Sequence, residues 1–427
     1  MSVLVPPVIW LPFVLALMPL ALPEGVSPRR LAQCAVWVAG LTLLLAGWAS
    51  LAPTVLLCGT GLWWRGDALA RTMTLLPALS WFLVSVRALQ PGEAARQASA
   101  RWRRWPVSAQ LIVACAMAIC RADLLALLPL FLGVMLFAGR REPTDEREAA
   151  LVLGAVPVTG AGVAVLSSAT GMPARWSGLV AASHPVSSGL LLLLLPILLL
   201  CAWAALRPVL FGRATVSRGL FRLLVLSVGL LVTLRCLGAV PALAPLVSVT
   251  GLLLGASAVL LLPAQRSLAG RVSLAAALQS AFALVAAASG GAGGVAASLM
   301  LAGSLALLLP LILFVPADRS AARLRFASIL VLIGLPPFGP FAAFMVLMLR
   351  LTGTSPALAA LLLLGAAVSA LAVLRSSGRD PVAVLPEGRT GAWGMVSALC
   401  LLLSLWLGLA MPNGLSDWLL SVGGSGR

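Results

Sequence analysis

Four polar side chains lie within or near the ends of long apolar runs, where they could act on a charge crossing a membrane: Arg222, Ser227, Arg235 and Arg271. A hydroxyl such as that of Ser227 can pass a proton along a water chain but stores no charge. Arginine keeps its proton up to about pH 12 or beyond, so the three arginines can set a fixed positive potential beside a path but cannot relay a proton. The competing reading is that they snorkel to the nearest interface. Asp67 with Arg71, and Asp123 with Arg121, are spaced for local ion pairs at the ends of apolar runs. His184 is the single histidine, and its place before Pro185 suits an interface. The seven cysteines are scattered singly, with no metal-ligand spacing and no disulfide framework. No phosphate loop, zinc spacing or nucleophile constellation occurs, so no catalytic residue, metal or cofactor is expected.

The stretch around which the chain is organised is Arg325 to Arg350, RFASILVLIGLPPFGPFAAFMVLMLR. It is long and apolar enough to cross a bilayer. Its middle holds Gly334, Pro336, Pro337, Gly339 and Pro340. Proline has no N–H and its ring clashes with the preceding turn, while glycine weakens a helix. The crossing should therefore be broken near the midplane. Broken backbone at that depth survives only when buried in protein or lining a wet cavity, and paired broken helices mark transport sites in carriers. A packing kink in an ordinary crossing helix is the plainer alternative.

The elements that position these residues follow from composition. Hydrophobic residues make up 61% of the 427 and charged residues 10%. A soluble fold of this length could not hide so much apolar surface, so the fold class is an all-α polytopic membrane protein. The net charge of +17 is carried by arginine alone, because the chain has no lysine. The arginines sit in short loops between apolar runs, which argues against nucleic-acid binding and for the lipid bilayer as the partner. Met1 to Leu22 lacks a basic leading region and reads as a first crossing helix rather than a cleaved signal.

Fourteen apolar segments have crossing length: 3–22, 31–52, 68–89, 105–121, 123–139, 149–171, 185–206, 219–239, 242–263, 268–289, 295–315, 325–350, 356–375 and 391–411. Arginine is concentrated after the odd-numbered segments, for example Arg101, Arg103 and Arg104, Arg140 and Arg141, or Arg319 and Arg323. The positive-inside rule puts those loops in the cytoplasm and both termini outside, in a bacterial inner membrane. Gly290 to Gly294 is expected as a flexible turn.

Several stretches resemble the antiporter-like, proton-translocating membrane subunits of NADH–quinone oxidoreductase, of Mrp-type antiporters and of formate-hydrogenlyase-type hydrogenases. GLPPFGPFAAF, from Gly334 to Phe344, is similar to their G-x-P-P-x-x-x-F segment. Trp64 to Arg71 resembles the entry to the family's third helix, with Asp67 on the family aspartate. Ala122 to Leu128, Glu148 to Leu151, Thr215 to Ser217 with Gly229 and Arg235, and Gln265 to Arg271 are similar to the starts or flanks of the fifth, sixth, eighth and tenth helices.

The resemblance implies two inverted five-helix repeats with discontinuous helices. The expected parts are 1–104 (flanking helices), 105–240 (first repeat), 241–380 (second repeat) and 381–427 (last helix). It also implies a non-catalytic subunit of a complex-I-related oxidoreductase of hydrogenase or quinone-reductase type, partnered by other membrane and peripheral subunits. The family's pump residues do not transfer. Their positions fall on Leu132, Trp203, Ser227, Ala269 and Phe344, none of which titrates near neutral pH. A scaffold that keeps the fold but not the pump is therefore expected. The alternative is a stand-alone secondary transporter of ions or solutes with its site at the break.

Overall fold

A computed structural model describes residues 7–22, 26–51, 64, 66–89, 105–139, 146–170, 173–179, 186–206, 216–265, 268–313, 327–334, 336–377 and 391–409. Among these residues there is no β-strand, only two isolated bridges, Trp64 with Ala122 and Leu124 with Arg175.

The helices are α1 (Pro7–Leu15), α2 (Pro28–Leu51), α3 (Ala68–Ala88), α4 (Trp105–Arg121), α5 (Leu127–Gly139), α6 (Glu146–Thr170) and α7 (Val186–Leu206). After them come α8 (Val216–Ala239), α9 (Ala244–Leu261), α10 (Leu268–Ala288), α11 (Gly291–Leu313), α12 (Gly339–Thr354), α13 (Pro356–Ser377) and α14 (Gly391–Leu409). Each corresponds to one of the fourteen apolar segments of the sequence. Seven of them satisfy a full crossing length and hydropathy, and the others are shorter apolar helices. The chain is a multi-pass, all-helical membrane protein.

The fifth segment begins four residues later than its apolar run, because Asp123 to Ala126 leave the helix to pair with the loop before Trp176. The glycine run after α10 is mostly helical: only Ser289 and Gly290 form the turn, and Gly291 opens α11. Gly290 and Gly291 have φ of +67° and +62°, a conformation glycine adopts without steric cost.

The chain divides into two compact units, Met1–Cys201 with Thr215–Val240, and Ala202–Ala214 with Pro241–Arg427. In the first unit α8 packs against α3 and α4, and α4 against α3 and α5. In the second, α10 packs against α9, α11 and α13, and α12 against α11, α13 and α14. The most enclosed long span of each unit is α8 and α10 respectively, each with 89% of its span buried. Arg235 and Gln279, described next, belong to these two helices. Outward faces carry large apolar residues, such as Trp37 and Leu44 on α2 and Leu253 and Leu260 on α9, as lipid contact requires.

Glycine allows a close crossing in the first unit. A Cβ on Gly229 of α8 would overlap the sulfur of Cys201 on α7.

Candidate functional site

Two groups of polar residues are built into the bundle, one in each unit. In the first unit Asp67, Arg121, Asp123 and Arg235 gather at a single end. α3 starts there, α4 and α8 finish there, and the loop before Trp176 folds over them. Asp67 precedes α3 and caps it: its Oδ1 accepts the Ala70 N–H at 2.7 Å, satisfying a donor that the first helical turn leaves open. The same carboxylate accepts two hydrogen bonds from the guanidinium of Arg235 on α8, at 3.2 and 3.3 Å. The side chains are 4% exposed for Arg235 and 21% for Asp67. Arg235 also lies over the Trp176 ring, 5.9 Å from its centroid. Asp123 accepts from the Ser177 amide at 3.0 Å and from its hydroxyl at 2.6 Å. Arg121 closes α4 and donates its Nε–H to Thr74 of α3 at 3.2 Å.

This end is thus a lock between elements far apart in the sequence. Arg235 comes 168 residues after Asp67, a pairing that local spacing does not signal. Arg71, the sequence neighbour expected beside Asp67, follows it by one turn and is half-buried. Arg222 lies on the same helix as Arg235 but about 20 Å away along its axis. It is 2% exposed and has an interaction partner within the chain. Ser227, between them, is buried and donates its hydroxyl back to the Leu223 carbonyl of its own helix at 3.1 Å. The polar residues of α8 therefore do not converge: Arg235 is committed to the lock and Ser227 to its own backbone.

In the second unit the centre is the break before α12. Helical backbone runs over 327–332, turns at Ile333 and Gly334, and resumes at Gly339. The interruption expected from the prolines is present. Gly334 has φ +77°, a conformation glycine adopts without steric cost. Phe338 precedes α12 in extended backbone at φ −84°, ψ 163°, and Pro340 stands in the first turn, where its missing N–H costs nothing.

Gln279 of α10 reaches the break. Its amide nitrogen donates to the Leu332 carbonyl at 2.8 Å, and it is 4% exposed. Sequence reasoning missed this residue because it looked for ionisable groups. The available signal was a lone amide inside the alanine-rich run Ala275 to Ala287. One turn further on, Phe282 packs against Phe344 of α12, with ring centroids 5.1 Å apart. So α10 presents an amide to the first half of the broken helix and an aromatic ring to the second.

At the far end of α10, Arg350 of α12 donates from Nε and Nη2 to the Ser289 carbonyl, at 3.1 and 3.0 Å. Its charge complements the negative end of α10. Arg271 donates its Nε–H to the Gln265 carbonyl at 2.8 Å, which fixes it at the start of α10.

Of the positions that align with pump residues, Leu132 and Phe344 are buried and apolar and Trp203 is half-buried. Leu206 closes α7, and residues 207–215 after it lie outside the described residues. No Asp or Glu occurs between Glu148 and Asp318, or between Asp318 and Asp380. Helices α7 to α13 therefore contain no carboxylate. No cluster of metal-ligating side chains occurs among the described residues.

No family model and no curated protein matches the chain. Solved structures do. A chain of the Mrp complex from Dietzia sp. DQ12-45-1b is 17% identical with a TM-score of 0.73, covering 98% of this chain and 95% of that one. A chain of the membrane-bound sulfane sulfur reductase, an archaeal respiratory membrane complex, is 17% identical at TM-score 0.82, with coverages of 98% and 96%. A chain of respiratory complex I from Thermus thermophilus with bound NADH is 19% identical at 0.74, with 98% of each covered. This chain shares the fold of these membrane-complex chains. The likeness extends over nearly the whole length of each, so α1 and α14 belong to that fold as much as the helices between them.

Proposed function

We propose that this chain is an antiporter-like membrane subunit of a complex-I-related redox assembly, of hydrogenase or quinone-reductase type, and that it supports the assembly without pumping protons. The fold supports the first half of the proposal. Three similar structures come from membrane complexes, and the similarity covers 98% of the chain. The second half is carried by one observation: α7 to α13 contain neither carboxylate nor lysine. A pump must bind and release a proton near the midplane, which requires a group that changes charge near neutral pH. Buried arginine does not change charge and raises the barrier to a passing cation. Both termini face the periplasm of a bacterial inner membrane in this reading, as the arginine distribution directs. The segments 105–240 and 241–380 form the two inverted repeats, flanked by 1–104 and 381–427.

The test is purification of the tagged chain from its native membrane in mild detergent, followed by identification of what accompanies it. Subunits of hydrogenase or quinone-reductase type are expected in stoichiometric amount. A chain that purifies alone, stays monodisperse and moves ions in liposomes would overturn the assembly reading in favour of a stand-alone transporter. The non-pumping half is tested by Arg222→Gln in the intact complex: the proton-to-electron ratio in vesicles should not change. A clear fall with normal assembly shows that a pathway runs through α8.

A further inference from the structure

Helix α2 has two unlike faces. Ala32, Ala35, Ala39, Ala46 and Ala49 are fully buried, and α2 packs chiefly on α3. Small residues are what close helix packing in a membrane selects. The outer face carries Arg30, Gln33, Trp37, Leu41, Leu44 and Trp48, all exposed. Their spacing of three or four residues sets them in one stripe along the helix. Trp37 is 74% exposed and Leu44 71%. Bulky side chains on an outer face suit acyl chains rather than a second helix.

The stripe has a charged head at one end. By the helical rise, Arg30 and Trp48 are about 27 Å apart along the axis, close to the hydrocarbon thickness of about 30 Å. Arg30 therefore stands at one headgroup boundary and Trp48 at the other, where tryptophan is enriched. Arg29 beside it is exposed as well. Ser27 caps this end: its Oγ accepts the Arg30 N–H at 3.4 Å and its carbonyl the Leu31 N–H at 3.2 Å. The two guanidinium groups thus hang from a fixed helix start, and they add to its positive dipole end. Among the described residues neither arginine pairs with an acid. The first 66 residues hold a single carboxylate, Glu24, against these two cations. The preceding 3₁₀ turn, Met18–Ala21, packs on α2 and leaves Met18 and Leu20 exposed.

We propose that the start of α2 binds an anionic phospholipid, with its phosphate held by Arg29 and Arg30 and an acyl chain laid along Trp37 and Leu41. Guanidinium groups bind phosphate through paired, charge-assisted hydrogen bonds. One leaflet is about 15 Å deep, and Leu41 lies about 16 Å along the axis from Arg30, so this part of the stripe spans one chain. Gln33 falls at the level of the ester groups, where its amide can donate. The net positive head selects lipids with no cation of their own. The site holds in either leaflet, and whether the chain works in a redox assembly or alone.

Photoreactive lipids test this on the protein as it leaves the membrane, with whatever accompanies it. The preparation is placed in phosphatidylcholine nanodiscs that contain a small fraction of phosphatidylglycerol or of phosphatidylcholine bearing an acyl-chain diazirine. Irradiation and peptide mass spectrometry then locate the label. Phosphatidylglycerol should label 33–41 several times more strongly than phosphatidylcholine does. One arginine at a membrane surface is worth about fivefold towards anionic lipid. Arg29→Gln combined with Arg30→Gln should therefore lower phosphatidylglycerol labelling by up to about 25-fold and leave phosphatidylcholine labelling unchanged. Arg375→Gln, which removes an exposed charge at the end of α13, should change nothing at 33–41. Equal labelling by the two lipids overturns the proposal, as does no fall in the double variant or an equal fall in Arg375→Gln. No label from either lipid would show that a partner protein covers the face, and also overturns it. If the double variant does not assemble, the comparison of the two lipids on the unaltered protein decides.

Discussion

Replacing Asp67 with Asn tests the lock of the first unit. Asparagine keeps an oxygen that can cap α3, so the substitution removes the charge and little else. What remains is Arg235, only 4% exposed, without its carboxylate. Removing one partner of a fully buried pair costs about 3–5 kcal/mol, while exposed pairs are worth about 0–1 kcal/mol. Asp67 is 21% exposed, so we place the loss between these limits, at about 2–3 kcal/mol. If the unit formed by Met1–Cys201 and Thr215–Val240 melts by itself, the usual unfolding entropy per residue converts this to a fall of about 4–6 °C in midpoint. The assay is the fraction of monodisperse protein after heating in detergent, read by size-exclusion fluorescence. Arg235→Gln should lose a comparable amount, and the double variant should be no worse than the poorer single one, because each single change already breaks the pair. Additive losses in the double variant, or a fall of under 1 °C in Asp67→Asn, would refute the claim that this pair holds α3 to α8.

Gly229→Ala places a methyl group on the Cys201 sulfur and should cost about 1–3 kcal/mol by overpacking. Adding Cys201→Ala should recover most of it in the same thermal assay. Gly291→Ala combines a φ of +62° with a Cβ 2.6 Å from Nη2 of Arg350. It should cost about 1–3 kcal/mol and detach Arg350 from Ser289, whereas Gly293→Ala, 3.9 Å from the same guanidinium, should be nearly neutral. For orientation, Ser99→Cys in a chain with its seven cysteines replaced should resist impermeant thiol reagents in intact cells. Ready labelling there would invert the proposed topology.

Much of the fold was legible because the bilayer demands long apolar runs and the chain obeys. The break was legible too, since Pro336 and Pro337 leave the backbone no helical alternative. The lock was legible only in part. Asp67 and Asp123 were visible as rare acids at helix entrances, but Arg235 belongs to a helix far along the chain, and no local spacing announces a partner 168 residues away. Gln279 was invisible to a search for charge, because it supplies the Leu332 carbonyl with a neutral N–H that Pro336 lacks. Phe344 was visible as an apolar residue at an unexpected position. Its packing on Phe282 shows that the space is filled by a ring rather than left as a vacancy.

The Asp67–Arg235 pair also has a consequence for how the chain is made. Synthesis runs from the N-terminus at about 5–20 residues per second, so Asp67 is in place about 10–30 s before Arg235 leaves the ribosome. Until then the acid stands at the membrane surface, where a single carboxylate is readily solvated. When α8 arrives it carries three arginines, Arg218, Arg222 and Arg235, each of which disfavours insertion by up to about 2.5–3.5 kcal/mol at mid-membrane. The helices of the first unit already inserted offer Arg235 a charged partner at once. The order of the genetic message thus delivers an arginine-bearing helix into a bundle that already holds a receptor for it.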